Sequence, residues 1–134
     1  MKCHMRIAKP VRNLVETQRM YCAGLRLSVL GHFENHQGID SIVLCSEDMA
    51  YHFEFTYCRH HVVVPSTTVE DLVVFYEPDR EKWTKMWEHV SEAGFKQVTS
   101  LNPYWEMDGR TFEDNDGYRF VLQNDRWSNR VVHY

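Results

Sequence analysis

The sequence predicts an α+β domain made of two βαβββ modules in tandem, and three observations carry that reading. Strand-like RIAKPV (6–11) and LVVFYE (72–77) each lead to an N-cap candidate, Asn13 or Asp79, and then to a helix. Both helices meet a glycine at their far end, in Gly24-Leu25 and Gly94-Phe95, where a left-handed stop is expected. The closing segments AYHFEF (50–55) and GYRFVL (117–122) alternate in the same phase, so the chain is written twice.

Taken in order, the first module spans about 6–58. After its helix, RLSVLGHF and DSIVLC supply two strands, and AYHFEF the last. Period-two alternation puts Tyr51, Phe53 and Phe55 on one face, turned to the helix, and His52, Glu54 and Thr56 on the other. RHHVVVPSTTVED (59–71) reads as a linker. In the second module, about 72–125, Trp83, Met86, Trp87 and Val90 form an apolar helical stripe that reads as core. FKQVT, RTFE and GYRFVL are its later strands, with Tyr118, Phe120 and Leu122 facing the helix. EDNDG, between RTFE and GYRFVL, is a hairpin turn. As a calcium loop it fails, because the frame ending at Gly117 has Phe112 at the first ligand position and Gln123 at the twelfth. Residues 126–134 are a tail beyond the repeat.

A length of 134 residues suits one domain, 1–134. The formal charge of −4, with no clustered basic face beyond Arg59-His60-His61, argues against nucleic acid as a partner. No apolar run has the length of a membrane span, and MKCHMRIAKP lacks the apolar core of a signal peptide. Cys3, Cys22, Cys45 and Cys58 include no CxxC pair, so reduced thiols and a cytoplasmic location are expected. No serine elbow, activated cysteine or phosphate-cradling glycine loop is present.

VRNL…QRMYCAGLRL resembles the helix start and F-Y, G-L pattern of the vicinal oxygen chelate superfamily, and FEDNDGYRFVL is similar to its F-x-D-P-D-G-n-x-h-E-L ending. That superfamily includes glyoxalase I, fosfomycin- and bleomycin-resistance proteins and extradiol dioxygenases. NPYWEMDGRTFED looks closer to a bacterial subgroup of glyoxalase-like proteins than to those named enzymes. The resemblance covers residues 6 to 125. It implies the glyoxalase/bleomycin resistance fold, with mixed sheets curled around a shared cup, and a homodimer.

In the superfamily's metalloenzymes the cup holds a divalent ion on residues of the first and last strands of each module. Those positions here are Arg6, Glu54, Leu72 and Val121. Only Glu54 can coordinate, and one carboxylate does not hold a transition metal against water. No metal cofactor is therefore expected, and an Arg6–Glu54 ion pair is the suggested replacement. The alternative keeps one divalent ion in a displaced site at His52 and Glu54, completed by His32 or His36. Asn102-Pro103 presents Tyr104 and Trp105 rigidly, as rings that stack on a ligand or as core.

The functional expectation is a metal-free protein binding a small molecule through Arg6, His52, Glu54, Asn102, Tyr104 and Trp105. The other is a lyase or dioxygenase of the glyoxalase type, with His52 and Glu54 as acid–base candidates or metal ligands.

Overall fold

The computed structural model describes residues 1–133. Strand β1 (Met5–Pro10), helix α1 (Leu14–Leu25) and strands β2 (Ser28–His36), β3 (Ile39–Cys45) and β4 (Tyr51–Cys58) form the first module. Strand β5 (Val73–Tyr76), helix α2 (Arg80–Glu92), β6 (Lys96–Val98), the one-turn helix α3 (Tyr104–Met107), β7 (Gly109–Glu113) and β8 (Arg119–Gln123) form the second. Each module has its own four-stranded mixed sheet, ordered β1-β4-β3-β2 and β5-β8-β7-β6. β1 runs parallel to β4 and β5 parallel to β8, while the other neighbours are antiparallel. The doubled βαβββ pattern is therefore present as two sheets. Among the described residues no helix is long and apolar enough to cross a membrane.

The helix starts follow from the sequence. Asn13 Oδ1 accepts from the Glu16 amide at 3.0 Å, and Asp79 Oδ1 from the Lys82 amide at 3.0 Å, each satisfying an orphan donor. α2 ends as expected: Gly94 has φ 101°, and the Phe95 amide reaches back to the Val90 carbonyl. α1 does not. Gly24 is still helical, and the left-handed residue is Arg26 at φ 57°. Gly24 is small because a Cβ there would stand 2.8 Å from the Phe95 ring and 3.2 Å from Ala93 Cβ. It lets α1 and the end of α2 approach.

One core serves both modules. Phe53 stacks near Phe55, Phe112 near Phe120, and Phe75 lies 6.3 Å from Phe53 and 6.0 Å from Phe120, joining the two sheets. Tyr21 of α1 packs 4.7 Å from Phe55 and edge-on to Phe95 at 5.2 Å. Trp83 Nε1 donates to the Leu122 carbonyl at 2.8 Å, which fixes α2 on its sheet.

The EDNDG turn does more than reverse the chain. Asp114 Oδ1 accepts from the amides of Asp116 (2.9 Å) and Tyr118 (3.0 Å), while Oδ2 accepts from the buried Tyr21 hydroxyl at 2.8 Å. Tyr118 donates its hydroxyl to the Pro10 carbonyl at 2.7 Å, and the Arg12 amide donates to Asp116 Oδ1 at 3.3 Å. The second module's turn is thereby pinned to the first module's β1–α1 corner.

Burial pushes the Asp114 carboxyl above the usual range, held back by the Tyr21 hydroxyl and the two amides. A raised acid contributes stability that is complete below its unfolded pKa and is lost as pH rises through the folded value. Asp114→Asn keeps an acceptor for both amides and removes the charge, so its stability relative to the parent should improve from about pH 4 to about pH 7. Asp114→Ala leaves two amides and a buried hydroxyl without their acceptor and should cost about 2 kcal/mol or more. Urea titrations at both pH values check this; an Asp114→Asn offset that does not change with pH contradicts the charge argument.

Candidate binding site

Each sheet has a face packed on the helices and an outer face. On the first sheet the parallel register sets Arg6 beside His52 and Ala8 beside Glu54. Arg6, His52, Glu54 and Thr56 thus share the outer face, and the small Ala8 leaves space beside Glu54. The β3 register adds Val43 opposite Glu54 and Ser41 opposite Thr56, and β2 adds Gly31 and Phe33.

Arg6 Nε donates to His52 Nε2 at 2.9 Å, so His52 accepts there. Arg6 Nη1 lies 3.5 Å from Glu54 Oε2, a longer contact. The guanidinium therefore bridges both candidates, and its better bond goes to His52. The sequence pointed to Glu54 as its partner. Counting side chains by face was enough to gather these three, but not to rank the two contacts.

Beside them lies a cavity of about 510 Å³, lined by Phe33, His36, Gln37, Ile39, Ser41, Glu54 and Thr56. The Phe33 ring lies over Gly31, where a Cβ would come within 3.3 Å of it. At the β2–β3 hairpin, Asn35 (φ 49°) and Gln37 (φ 54°) are left-handed without being glycine, followed by Gly38. Their strain is held by Asp40, which accepts from the Asn35 amide at 2.8 Å and from Arg59 through two bonds of 2.8 and 2.9 Å. Arg59 first, then the Asn35 amide, holds the Asp40 carboxyl below its ordinary range. His36 and Gln37 are fixed at the cavity by this turn. Of the lining, Glu54 and His36 were site candidates from sequence and Thr56 was placed only on the same strand face as Glu54; Ser41 and Phe33 required the strand registers.

The other predicted residues lie elsewhere. Asn102 Oδ1 accepts from the Tyr104 amide at 3.0 Å and starts α3, a single helical turn. Trp105 and Asn102 line a separate cavity of about 230 Å³ with Leu72, Val69, Glu70 and Leu101. Tyr104 stands edge-on to Trp105 at 4.9 Å and is 52% exposed. The structure does not bring Asn102, Tyr104 or Trp105 together with Arg6, His52 and Glu54. His32 turns toward Glu34 at 3.8 Å, away from Glu54, because its register partner Ile42 belongs to the helix-facing core.

The outer face of the second sheet is closed. Val121, Thr111 and Gln123 are buried, and Ser100 Oγ meets Thr111 Oγ1 at 2.6 Å as the segment before α3 folds over the sheet. Gly109 permits this: a Cβ there would stand 2.7 Å from the Trp105 carbonyl oxygen and collide with Gln123 Oε1.

Comparison with known proteins agrees with this architecture. The structure superposes on fosfomycin resistance protein FosX of Mesorhizobium loti with a TM-score of 0.68 at 14% identity, covering 92% of this chain and 90% of that one. On glyoxalase I of Zea mays the TM-score is 0.73 at 18% identity, over 93% of this chain and 45% of that chain. Paired βαβββ modules of this kind define the vicinal oxygen chelate superfamily. Within it the chain belongs to the YycE-like family, matching the YycE-like N-terminal domain over residues 5–56 and the YycE-like C-terminal domain over 70–124. It is 35% identical to YycE of Bacillus subtilis (strain 168) over 122 residues, 91% of this chain and 88% of that protein. The crystal structure of YycE from B. subtilis superposes with a TM-score of 0.87 over 95% of this chain and 93% of that one.

The superfamily's metal can now be tested against the residues present. Glu54 is tied to Arg6, Leu72 faces the cavity beside Trp105, and Val121 is fully buried in the closed second face. Among the described residues no three His, Cys, Asp or Glu side chains converge to hold an ion. The donor set does not fit a divalent metal.

The two outer faces differ in what a methyl group would meet. Gly109→Ala presses on backbone and a buried amide and should cost about 2 kcal/mol or more, whereas Gly31→Ala displaces a half-exposed ring at well under half that cost. Thermal melts of both variants check the order; a more damaging Gly31→Ala would show that the first face, too, is tightly covered.

Proposed function

We propose that this protein binds a small organic molecule on the outer face of its first sheet and does so without a metal ion. The observation that carries the reading is the Arg6 bridge. At the positions where this fold would assemble metal ligands, a guanidinium bonds to His52 and contacts the only carboxylate. An adjoining cavity of about 510 Å³ combines an aromatic wall, hydroxyls and that carboxylate, the mixture of apolar lining and few polar groups typical of ligand sites. The other reading, a lyase or dioxygenase with its ion moved to His52 and Glu54, would require the Arg6 bridge to break first.

The test is elemental analysis of protein purified without chelator, then thermal shifts with Zn, Ni, Mn and Fe(II). The expected result is no stoichiometric metal and no stabilisation by any of the four. Stoichiometric retention, or saturable stabilisation lost in Glu54→Ala, would replace this reading with the metal-dependent one.

A homodimer is part of the proposal. β2 is a nine-residue edge strand with an unpaired outer side, and Val29 and Leu30 on it are 45% and 42% exposed. Long, apolar exposed edges associate unless blocked. Light scattering should give twice the chain mass, and Leu30→Lys should shift it toward the monomer; a monomeric parent at micromolar concentration removes this part.

A further inference from the structure

We infer that the ligand of the first-sheet cavity carries a cationic nitrogen on an apolar, ring-bearing body. This inference rests on the proposed binding role and names the chemistry it would select. Its starting point is Glu54. The side chain is only 18% exposed, yet its one hydrogen bond among the described residues is the 3.5 Å contact from Arg6 to Oε2, and none reaches Oε1. A mostly buried carboxylate ordinarily gathers several short, charge-assisted bonds. Arg6 does not supply them, since its 2.9 Å bond is directed to His52. Glu54 is thus an anion with capacity left over, at the wall of a cavity that neither lysine nor arginine lines.

The rest of the wall is suited to a cation. Ser41 and Thr56, adjacent in register, place hydroxyl oxygens beside Glu54 that can accept from an ammonium. Phe33 stands two strands away, on β2, so its ring and the carboxylate are separated by about two strand spacings, roughly 10 Å. A ring joined to an amine by a short chain spans that gap, with its ring on Phe33 and its nitrogen at Glu54. The aromatic face adds its own attraction for a positive charge. An anionic ligand would instead be placed against a carboxylate that Arg6 meets only at 3.5 Å, with only neutral groups or His36 to receive it.

The experiment is an amide-resolved NMR titration of the full chain at neutral pH with three probes of matched size: 2-phenylethylamine, 2-phenylethanol and 3-phenylpropanoate. The expected result is that the amine shifts amides of residues 33–41 and 54–56 at concentrations about tenfold lower than the alcohol, and the carboxylate least of all. Glu54→Gln should remove the preference for the amine, so that amine and alcohol shift these amides at similar concentrations. If amine and alcohol bind these residues equally, or the preference survives Glu54→Gln, the cation assignment is overturned and the cavity remains a binding site. If none of the three moves these amides, the binding role falls with it. The ranking in the unmodified chain decides the matter even if Glu54→Gln does not fold.

Discussion

The hydrogen bond from Tyr21 to Asp114 is the contact on which the arrangement of the two modules depends. It joins the middle of the first helix to the last turn of the second module, across 93 residues of sequence, at 2.8 Å in the buried seam. Each partner is also committed locally. Asp114 organises its own turn through two amides, and Tyr21 is the ring about which Phe53, Phe55, Phe95 and Phe120 are grouped. A small displacement of either module would therefore break turn geometry and aromatic packing together. Burial and the neighbouring carboxylate push the Tyr21 hydroxyl well above its ordinary pKa, keeping it a donor across the neutral range. The seam thus uses a polar contact with one geometry where apolar contacts alone would tolerate sliding.

With the helix faces shared, the two outer faces were free to diverge, and they did. On the second sheet, Thr111, Val121 and Gln123 are covered by the segment leading to α3, and a glycine at 109 gives the backbone room to lie down. On the first sheet the corresponding surface carries Arg6, His52, Glu54, Ser41 and Thr56 beside a cavity. The outer face of one sheet is covered by its own chain, and that of the other carries polar side chains beside a cavity. Glu54 stands partly exposed on that open face, with Arg6, at 3.5 Å, as its one hydrogen-bond partner among the described residues.

Much of this was legible in the residues. The strand phases of 50–55 and 117–122 placed Tyr51, Phe53, Phe55, Tyr118 and Phe120 on the core side, because side-chain alternation is a geometric property of a strand. Asn13 and Asp79 announced their helices through capping chemistry that operates within four residues. What was not legible is long-range. Gly24 looked like a helix stop and is instead a close-approach site, since only the fold reveals Phe95 above it. Tyr104 and Trp105 looked like partners of Arg6, but their position depends on how the segment before β7 folds over its own sheet. EDNDG was correctly a turn, yet nothing local reveals that its first aspartate accepts from a tyrosine in the other module.

On the proposed reading, a guanidinium rather than a metal ion at the centre of this face changes what the surface can do. A divalent ion offers exchangeable positions, so two neighbouring oxygens of a substrate can displace water and share one charge. A guanidinium offers directional donors and a single charge that no substrate can coordinate. Here Nε and Nη1 are already directed at His52 and Glu54, so Arg6 acts inward, fixing the two side chains. On the proposed reading, an occupant of this face is recognised by shape, by hydrogen bonds to preset groups and by the charge of Glu54. On that reading, specificity resides in the groups around Arg6: the Phe33 wall, the Ser41 and Thr56 hydroxyls, and the strained turn that holds His36 and Gln37 in place.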